Sequence, residues 1–297
     1  MNSKSKIWHW LAVIILSLIW GTSYILMKKG LRSFSVYQLA SLRILISALF
    51  LFPFALRSLS RFNRKSFVSV LIIAFFGSGI PAFLYPLAET KIDSSLTGML
   101  NSLSSAFTLV IGIVFYRRKA IRSQIAGVIL GFIGAAWLLY NGSFNINYYG
   151  LFVVLATLMN GISNNEVSKV EGLNGIEITS LAFFIMSPFA LVVLLGTDIH
   201  AVFLTPHWLL NLGFIAILSV VGSAFANAVY YYLVRDTSPV VATIVVYFIP
   251  IVATLWGLSD NEHLAPGMFV AVMLILAGVY LINRPGDMNK LKKRLNN

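Results

Sequence analysis

Ten apolar stretches, each about as long as a bilayer-spanning helix needs to be, follow one another along 297 residues with little chain between them. They run near 7–27, 37–56, 67–87, 94–116, 121–140, 149–168, 177–196, 208–233, 239–258 and 266–283. Inside hydrocarbon a backbone must satisfy its own hydrogen bonds, so such stretches are expected to be helices. The predicted fold class is therefore an all-α integral membrane protein with ten transmembrane helices. Composition agrees: 58% of the residues are hydrophobic and 11% charged, against about 25% charged in soluble domains. What lies between the spans is too short for a soluble catalytic domain. There is no cysteine, which excludes disulfides, thiol nucleophiles and Cys-type metal sites. The histidines His9, His200, His207 and His263 fall at span ends or in loops, and none pairs at metal-ligand spacing. Neither a metal nor another cofactor is expected.

The net charge of +12 could point to nucleic acid, but its distribution points to a membrane. With the N-terminus placed in the cytoplasm, seventeen Lys and Arg fall inside: Lys4, Lys6, Arg57, Arg61, Arg64, Lys65, Arg117, Arg118, Lys119, Arg122, Lys169, Arg235, Arg284, Lys290, Lys292, Lys293 and Arg294. Four fall outside, namely Lys28, Lys29, Arg32 and Lys91, and Arg43 lies within a span. This is the positive-inside asymmetry. It predicts a multi-pass protein of the cytoplasmic membrane with both termini inside, and it explains the basic balance without a nucleic-acid partner. The N-terminal run has no convincing cleavage site and reads as an uncleaved anchor.

The chain also resembles itself. At an offset near 145, Gly77-Ser78 meets Gly222-Ser223, Tyr85 meets Tyr230, Ser105 meets Pro250, Gly112 meets Gly257 and Ala126 meets Ala271. Nearer the start the offset is about 140, where Val13, Leu18, Gly21, Ser23 and Lys29 meet Val153, Leu158, Gly161, Ser163 and Lys169. The polar turn Asn141–Asn147 separates the halves. Five spans per half would place the second half upside down relative to the first, a build common in secondary transporters.

Several motifs carry a resemblance. Span one holds Ile19-Trp20-Gly21-Thr22-Ser23-Tyr24, and span two Leu39-Ala40-Ser41-Leu42-Arg43. Span four holds Ser102 to Thr108, and span nine Ile249-Pro250 through Trp256-Gly257, followed by Asp260-Asn261-Glu262. In this order the chain resembles the EamA-type transporters of the drug/metabolite transporter superfamily over essentially its whole length. The resemblance implies two inverted five-helix repeats, 1–142 and 143–297, around a central path for small metabolites such as amino acids, often exported. The family usually has an acid after span four as well. Here Tyr116-Arg117-Arg118-Lys119 stands in its place.

Polar side chains within spans should face protein or water. On span four Ser94, Thr97, Asn101, Ser104, Ser105 and Thr108 share one face. Span six offers Thr157, Asn160, Ser163 and Asn164, and span eight Ser219, Ser223, Asn227 and Tyr230. Each stripe has two readings, helix packing through small polar residues or a lining for a substrate path. Trp20, Tyr24, Tyr85, Tyr230 and Tyr247 could stack on a solute or simply pack. Arg43 lies well within span two, with Glu89 and Asp93 as candidate partners; a fixed ion pair and a functional cation are both open. Glu166 has Lys169 three residues on, an ordinary i, i+3 pair. Pro81, Pro86 and Pro250 each remove a backbone donor and mark candidate hinges or kinks.

These readings predict a non-enzymatic secondary transporter, with a small solute and the bilayer as its partners. Its candidate path is Trp20, Tyr24, Arg43, Tyr85, Thr97, Asn101, Ser105, Thr108, Asn160, Asn164, Ser223, Asn227, Tyr230 and Tyr247. No acid lies in span one, so a solute that is neutral, zwitterionic or anionic suits the chain better than a lipophilic cation. The alternative is a membrane enzyme or a non-transporting scaffold, and an enzyme would need acids, bases or ligands clustered on one face.

Overall fold

A computed structural model describes residues 3–61, 64–140, 147–262 and 265–284. The expected repeat boundary at 141–146, His263, Lys290, Lys292, Lys293 and Arg294 lie outside these residues, as do the side chains of Lys4, Lys6 and Arg64. The long elements are helices: α1 (Ser3–Gly30), α2 (Val36–Leu59), α3 (Lys65–Glu89), α4 (Ser94–Val114), α5 (Arg122–Leu139), α6 (Tyr148–Val167), α7 (Gly175–Leu195), α8 (Trp208–Asp236), α9 (Pro239–Ser259) and α10 (Pro266–Asn283). A single turn, His200–Phe203, lies between α7 and α8.

Among the described residues nine of these helices are long and apolar enough to cross a membrane. The exception is α6. It has 20 residues, and Asn160, Asn164, Asn165 and Glu166 dilute its apolar character. It is nevertheless packed among the others: Thr157 and Asn165 are fully buried, and Asn164 and Glu166 nearly so. Local sequence sets the starts. Ser35 and Gln38 form a capping box on α2, and Asn174 and Glu177 one on α7, each satisfying amides that the first turn leaves free.

Contacts define the two ends of the bundle. At one end, called here the Lys28 end, the end of α1 meets the segment after α9, and Asn211 of α8 meets Ser33. At the other, the Glu166 end, Arg61 meets Glu177, and His9 meets Asp236. Between them α4 packs on α6 and α9 on α1, α3 packs on α6 and α8 on α1, and α2 pairs with α7. The helices α5 and α10 form a tight outlying pair. A Cβ on Gly278 would come within 2.8 Å of the Gly131 nitrogen, so these glycines let two backbones touch.

Four helices are irregular midway. In α3, Ala74–Gly79 is wound as a π-helix, and so is Leu218–Phe225 in α8. A turn at Ser102 breaks α4, and α9 tightens to a 3₁₀ stretch over Thr243–Tyr247. The repeated Gly77-Ser78 and Gly222-Ser223 fall within the two π stretches. Such windings shift the hydrogen-bond ladder by one residue and free carbonyls for other partners. Pro81 follows the first π stretch and Pro250 the 3₁₀ stretch, while Pro86 lies within unbroken helix.

Candidate functional site

The freed backbone of α8 organises the middle of the bundle. The Gly222 carbonyl accepts the Trp20 indole N–H of α1 at 3.0 Å, and the Ser219 carbonyl accepts the Ser47 hydroxyl of α2 at 2.9 Å. Ser223 turns its hydroxyl to Arg43, whose Nε donates to it at 2.6 Å. The expected partners of Arg43, Glu89 and Asp93, form no ion pair with it. α2 lies against the π stretch of α8, and the hydroxyl presented there takes the guanidinium instead. The terminal nitrogens of Arg43 make no hydrogen bond to any described residue, and they face a cavity.

That cavity holds about 100 Å³, room for a solute of modest size. Trp20 and Tyr24 of α1, Arg43 of α2, and Tyr85 and Pro81 of α3 line it from one half of the sequence, together with Asn101 of α4. Asn160 and Asn164 of α6 and Asn227 and Tyr230 of α8 line it from the other half. A hydrogen-bond chain runs along one wall: the Asn160 amide donates to the Tyr85 hydroxyl at 3.0 Å, which donates to Asn101 Oδ1 at 2.6 Å. Trp20 meets Tyr230 edge-on at 5.0 Å, and Tyr24 meets Tyr85 at 6.1 Å. The wall thus offers one cation, several amides and phenols, and aromatic faces. It can hydrogen-bond and orient a small polar solute and pair with a carboxylate.

Other expected path residues do not reach the cavity. Thr97 donates to the Asp93 carbonyl, Thr108 to Ser104, and Ser105 accepts the Thr243 hydroxyl at 2.8 Å; all three are fully buried. Ser223 acts through Arg43, and Tyr247 stands apart beside Asn283. A hydroxyl can bond its own helix one turn back, so the span-four stripe serves packing except at Asn101 and Ser104. Ser23, Met27, Ser78 and Tyr231, which are not in the candidate path, also line the cavity, as does Ser163 from the span-six stripe. Their signal was position beside named residues: Ser23 beside Tyr24, and Tyr231 beside Tyr230. Gly77 belongs with them, because a Cβ there would come within 2.7 Å of the Tyr231 hydroxyl.

Each end of the bundle carries a cluster of ion pairs. At the Lys28 end Glu262 accepts Lys28 at 2.6 Å and caps α4, taking the N–H and hydroxyl of Ser94 on one oxygen and those of Ser95 on the other. A carboxylate also suits a helix N-terminus electrostatically. Asp260 joins the cluster through Lys28 at 3.0 Å and through Lys29. Burial alone would push both carboxyls up; bonds to Lys28, Ser95 and Ser94 for Glu262, and to Lys29 and Lys28 for Asp260, outweigh it and hold both below the ordinary range. At the other end Glu166 accepts Ser69 at 2.6 Å, Lys169 at 3.0 Å and the Tyr116 hydroxyl. The acid missing after α4 is supplied there by α6, and Tyr116 meets it as a donor.

A carboxyl held low in the folded protein adds stability above its unfolded pKa, and that contribution is lost as pH falls through the folded value. Thermal stability in detergent should therefore decline below the ordinary carboxylate range, and Glu262→Gln should flatten that decline. An unchanged slope would place the acid lability elsewhere.

Comparison with known sequences decides the family. The sequence model of the EamA-like transporter family matches twice, over residues 7–140 and 148–284. The chain belongs to the EamA-like transporter family. An "uncharacterized transporter" of Archaeoglobus fulgidus is 25% identical over 284 residues, covering 93% of this chain and 98% of the relative. The Escherichia coli K12 protein named uncharacterized inner membrane transporter YedA is 27% identical, covering 91% of each chain. A Salmonella typhimurium protein named a probable amino-acid metabolite efflux pump is 24% identical over 163 residues, 52% of each chain. A crystal structure with 14% identity superposes with a TM-score of 0.61, covering 97% of this chain and 98% of the other, and so shares its fold. In this EamA-like chain, the cavity and both ion clusters draw on both matched stretches.

Proposed function

We propose that this EamA-like protein is a secondary transporter that moves small polar metabolites, amino acids among them, out across the cytoplasmic membrane by alternating access. The carrying observation is the central cavity, walled by both halves of the chain, with Arg43 presenting guanidinium nitrogens that have no partner among the described residues, beside amides and phenols. Among the described residues only Arg43 brings a full charge to that wall. A carboxylate-bearing or zwitterionic solute fits it, and a cation meets repulsion. The name of the Salmonella relative supports the same solute class.

The architecture behind this reading is ten helices in two inverted repeats, 1–142 and 143–297. Two observations support it. The family model matches once in each half. The packings α4 on α6 and α3 on α6 recur, shifted by five helices, as α9 on α1 and α8 on α1. Inverted halves can exchange conformations, opening the cavity to one side and then the other. The irregular turns of α3, α8, α4 and α9 supply the flex points, and the ion clusters act as the two gates.

Orientation follows from the basic residues, which put the Lys28 end outside. With no native cysteine, Lys91→Cys should react with an impermeant thiol reagent added to intact cells and Ser60→Cys should not; the reverse pattern would invert the protein. The functional test is uptake and release of a metabolite panel in proteoliposomes without ATP. Saturable flux of amino acids is expected, and protein-independent leakage for every solute would remove the proposal.

A further inference from the structure

Glu89 is the acid that the cavity walls do not use. It is the last residue of α3, at the span end where the sequence puts it, yet it is only 7% exposed. Neither carboxyl oxygen has a hydrogen-bond partner among the described residues. It lies one turn beyond Tyr85 on the same face of α3, towards the Lys28 end. The groups acting on it are Lys28 and Tyr24 of α1, Arg43 of α2 and Glu262 after α9. Lys28 is already bound to Glu262 and Asp260, and Arg43, held by Ser223 through Nε alone, makes no ion pair with Glu89. By contrast Glu262 has five donors and Glu166 three. A buried carboxylate without a donor or cation is far costlier than a neutral carboxylic acid in the same place.

We propose that Glu89 is a proton-binding site that couples solute movement to the proton gradient, a role that rests on the transporter reading above. In the arrangement described here, with Glu89 buried, its carboxyl holds the proton. When the bundle opens and water reaches it, the O–H bond breaks and the proton passes to water. The carboxylate then has Arg43 and Lys28, the cations already nearby, to receive it. Reclosing requires a proton to be taken up again from the side then open. The burial that makes Glu89 costly as an ion thus ties its protonation to the conformational cycle.

Two measurements test this, and the first needs no solute. Infrared spectra of the bilayer-reconstituted protein at neutral pH should show a carboxylic-acid carbonyl band that shifts in D₂O. The band should vanish in Glu89→Gln and persist in Glu89→Asp. Identical spectra from the wild type and Glu89→Gln would overturn the site. The second measures flux of an equimolar mixture of radiolabelled amino acids from proteoliposomes with and without an imposed pH gradient. The ratio of the two rates should depart from one in the wild type and fall to one in Glu89→Gln. Equal gradient dependence in both proteins would overturn the coupling. Absence of amino-acid flux in the wild type would overturn the transport reading and with it the coupling, while the infrared band would still decide the site; loss of all flux in Glu89→Gln alone, gradient or none, would overturn the coupling role in favour of a structural one.

Discussion

Arg43→Gln is expected to lower the flux of carboxylate-bearing solutes about ten- to a hundred-fold in proteoliposomes while moving the melting temperature little. A charge-assisted hydrogen bond in a desolvated site contributes about 1.5–3 kcal/mol, and each 1.4 kcal/mol is about tenfold in an equilibrium constant. That interaction exists only when a solute is bound, because the terminal nitrogens of Arg43 have no hydrogen-bond partner among the described residues. Stability should change little for a separate reason. Removing a buried cation relieves its desolvation, and glutamine keeps a donor able to reach Ser223. Uncharged solutes should be much less affected. Collapse of the protein in detergent, or equal loss for charged and uncharged solutes, would make Arg43 a structural residue.

Asn101→Leu and Tyr230→Leu should each reduce flux by about tenfold or more, with the protein still folded in the membrane. Asn101 accepts the Tyr85 hydroxyl at 2.6 Å; leucine leaves that hydroxyl facing an apolar branch. An unpaired buried donor costs about 1–3 kcal/mol, enough to bias the cavity wall without unfolding ten packed helices. Tyr230 meets Trp20 edge-on at 5.0 Å, a contact of about 0.5–1.5 kcal/mol. Its hydroxyl makes no hydrogen bond among the described residues, so it remains available to solute. Normal flux in either variant would assign that side chain to packing.

Much of this arrangement is legible in the sequence because lipid makes polar residues conspicuous. Asn101, Asn160, Asn164 and Asn227 stand out in apolar helices, and the structure brings all four to one cavity with Arg43 and four of the five singled-out aromatics. Hydroxyls are less legible. Thr97, Thr108 and Ser105 can be satisfied by a neighbouring turn or hydroxyl, and their stripe looks the same whether or not water reaches it. The π stretches are not legible at all. Nothing in Leu218–Phe225 forbids a regular α-helix; the winding is selected by what its freed carbonyls and Ser223 meet on α1 and α2. The fate of Glu89 was hidden because burial at a helix end depends on how neighbouring helices close over it. The partner of Tyr116 was hidden for the same reason: its acid comes from α6, fifty residues away.

Solute counterflow in ATP-free proteoliposomes decides whether the Arg43 cavity is a transport path. Vesicles preloaded with an unlabelled amino-acid mixture and diluted into a trace of each labelled amino acid should accumulate label transiently. Accumulation should be strong with the wild type and nearly absent with Arg43→Gln. Quaternary ammonium dyes should show no accumulation. Counterflow of such dyes in preference to amino acids, undiminished in Arg43→Gln, would contradict the account.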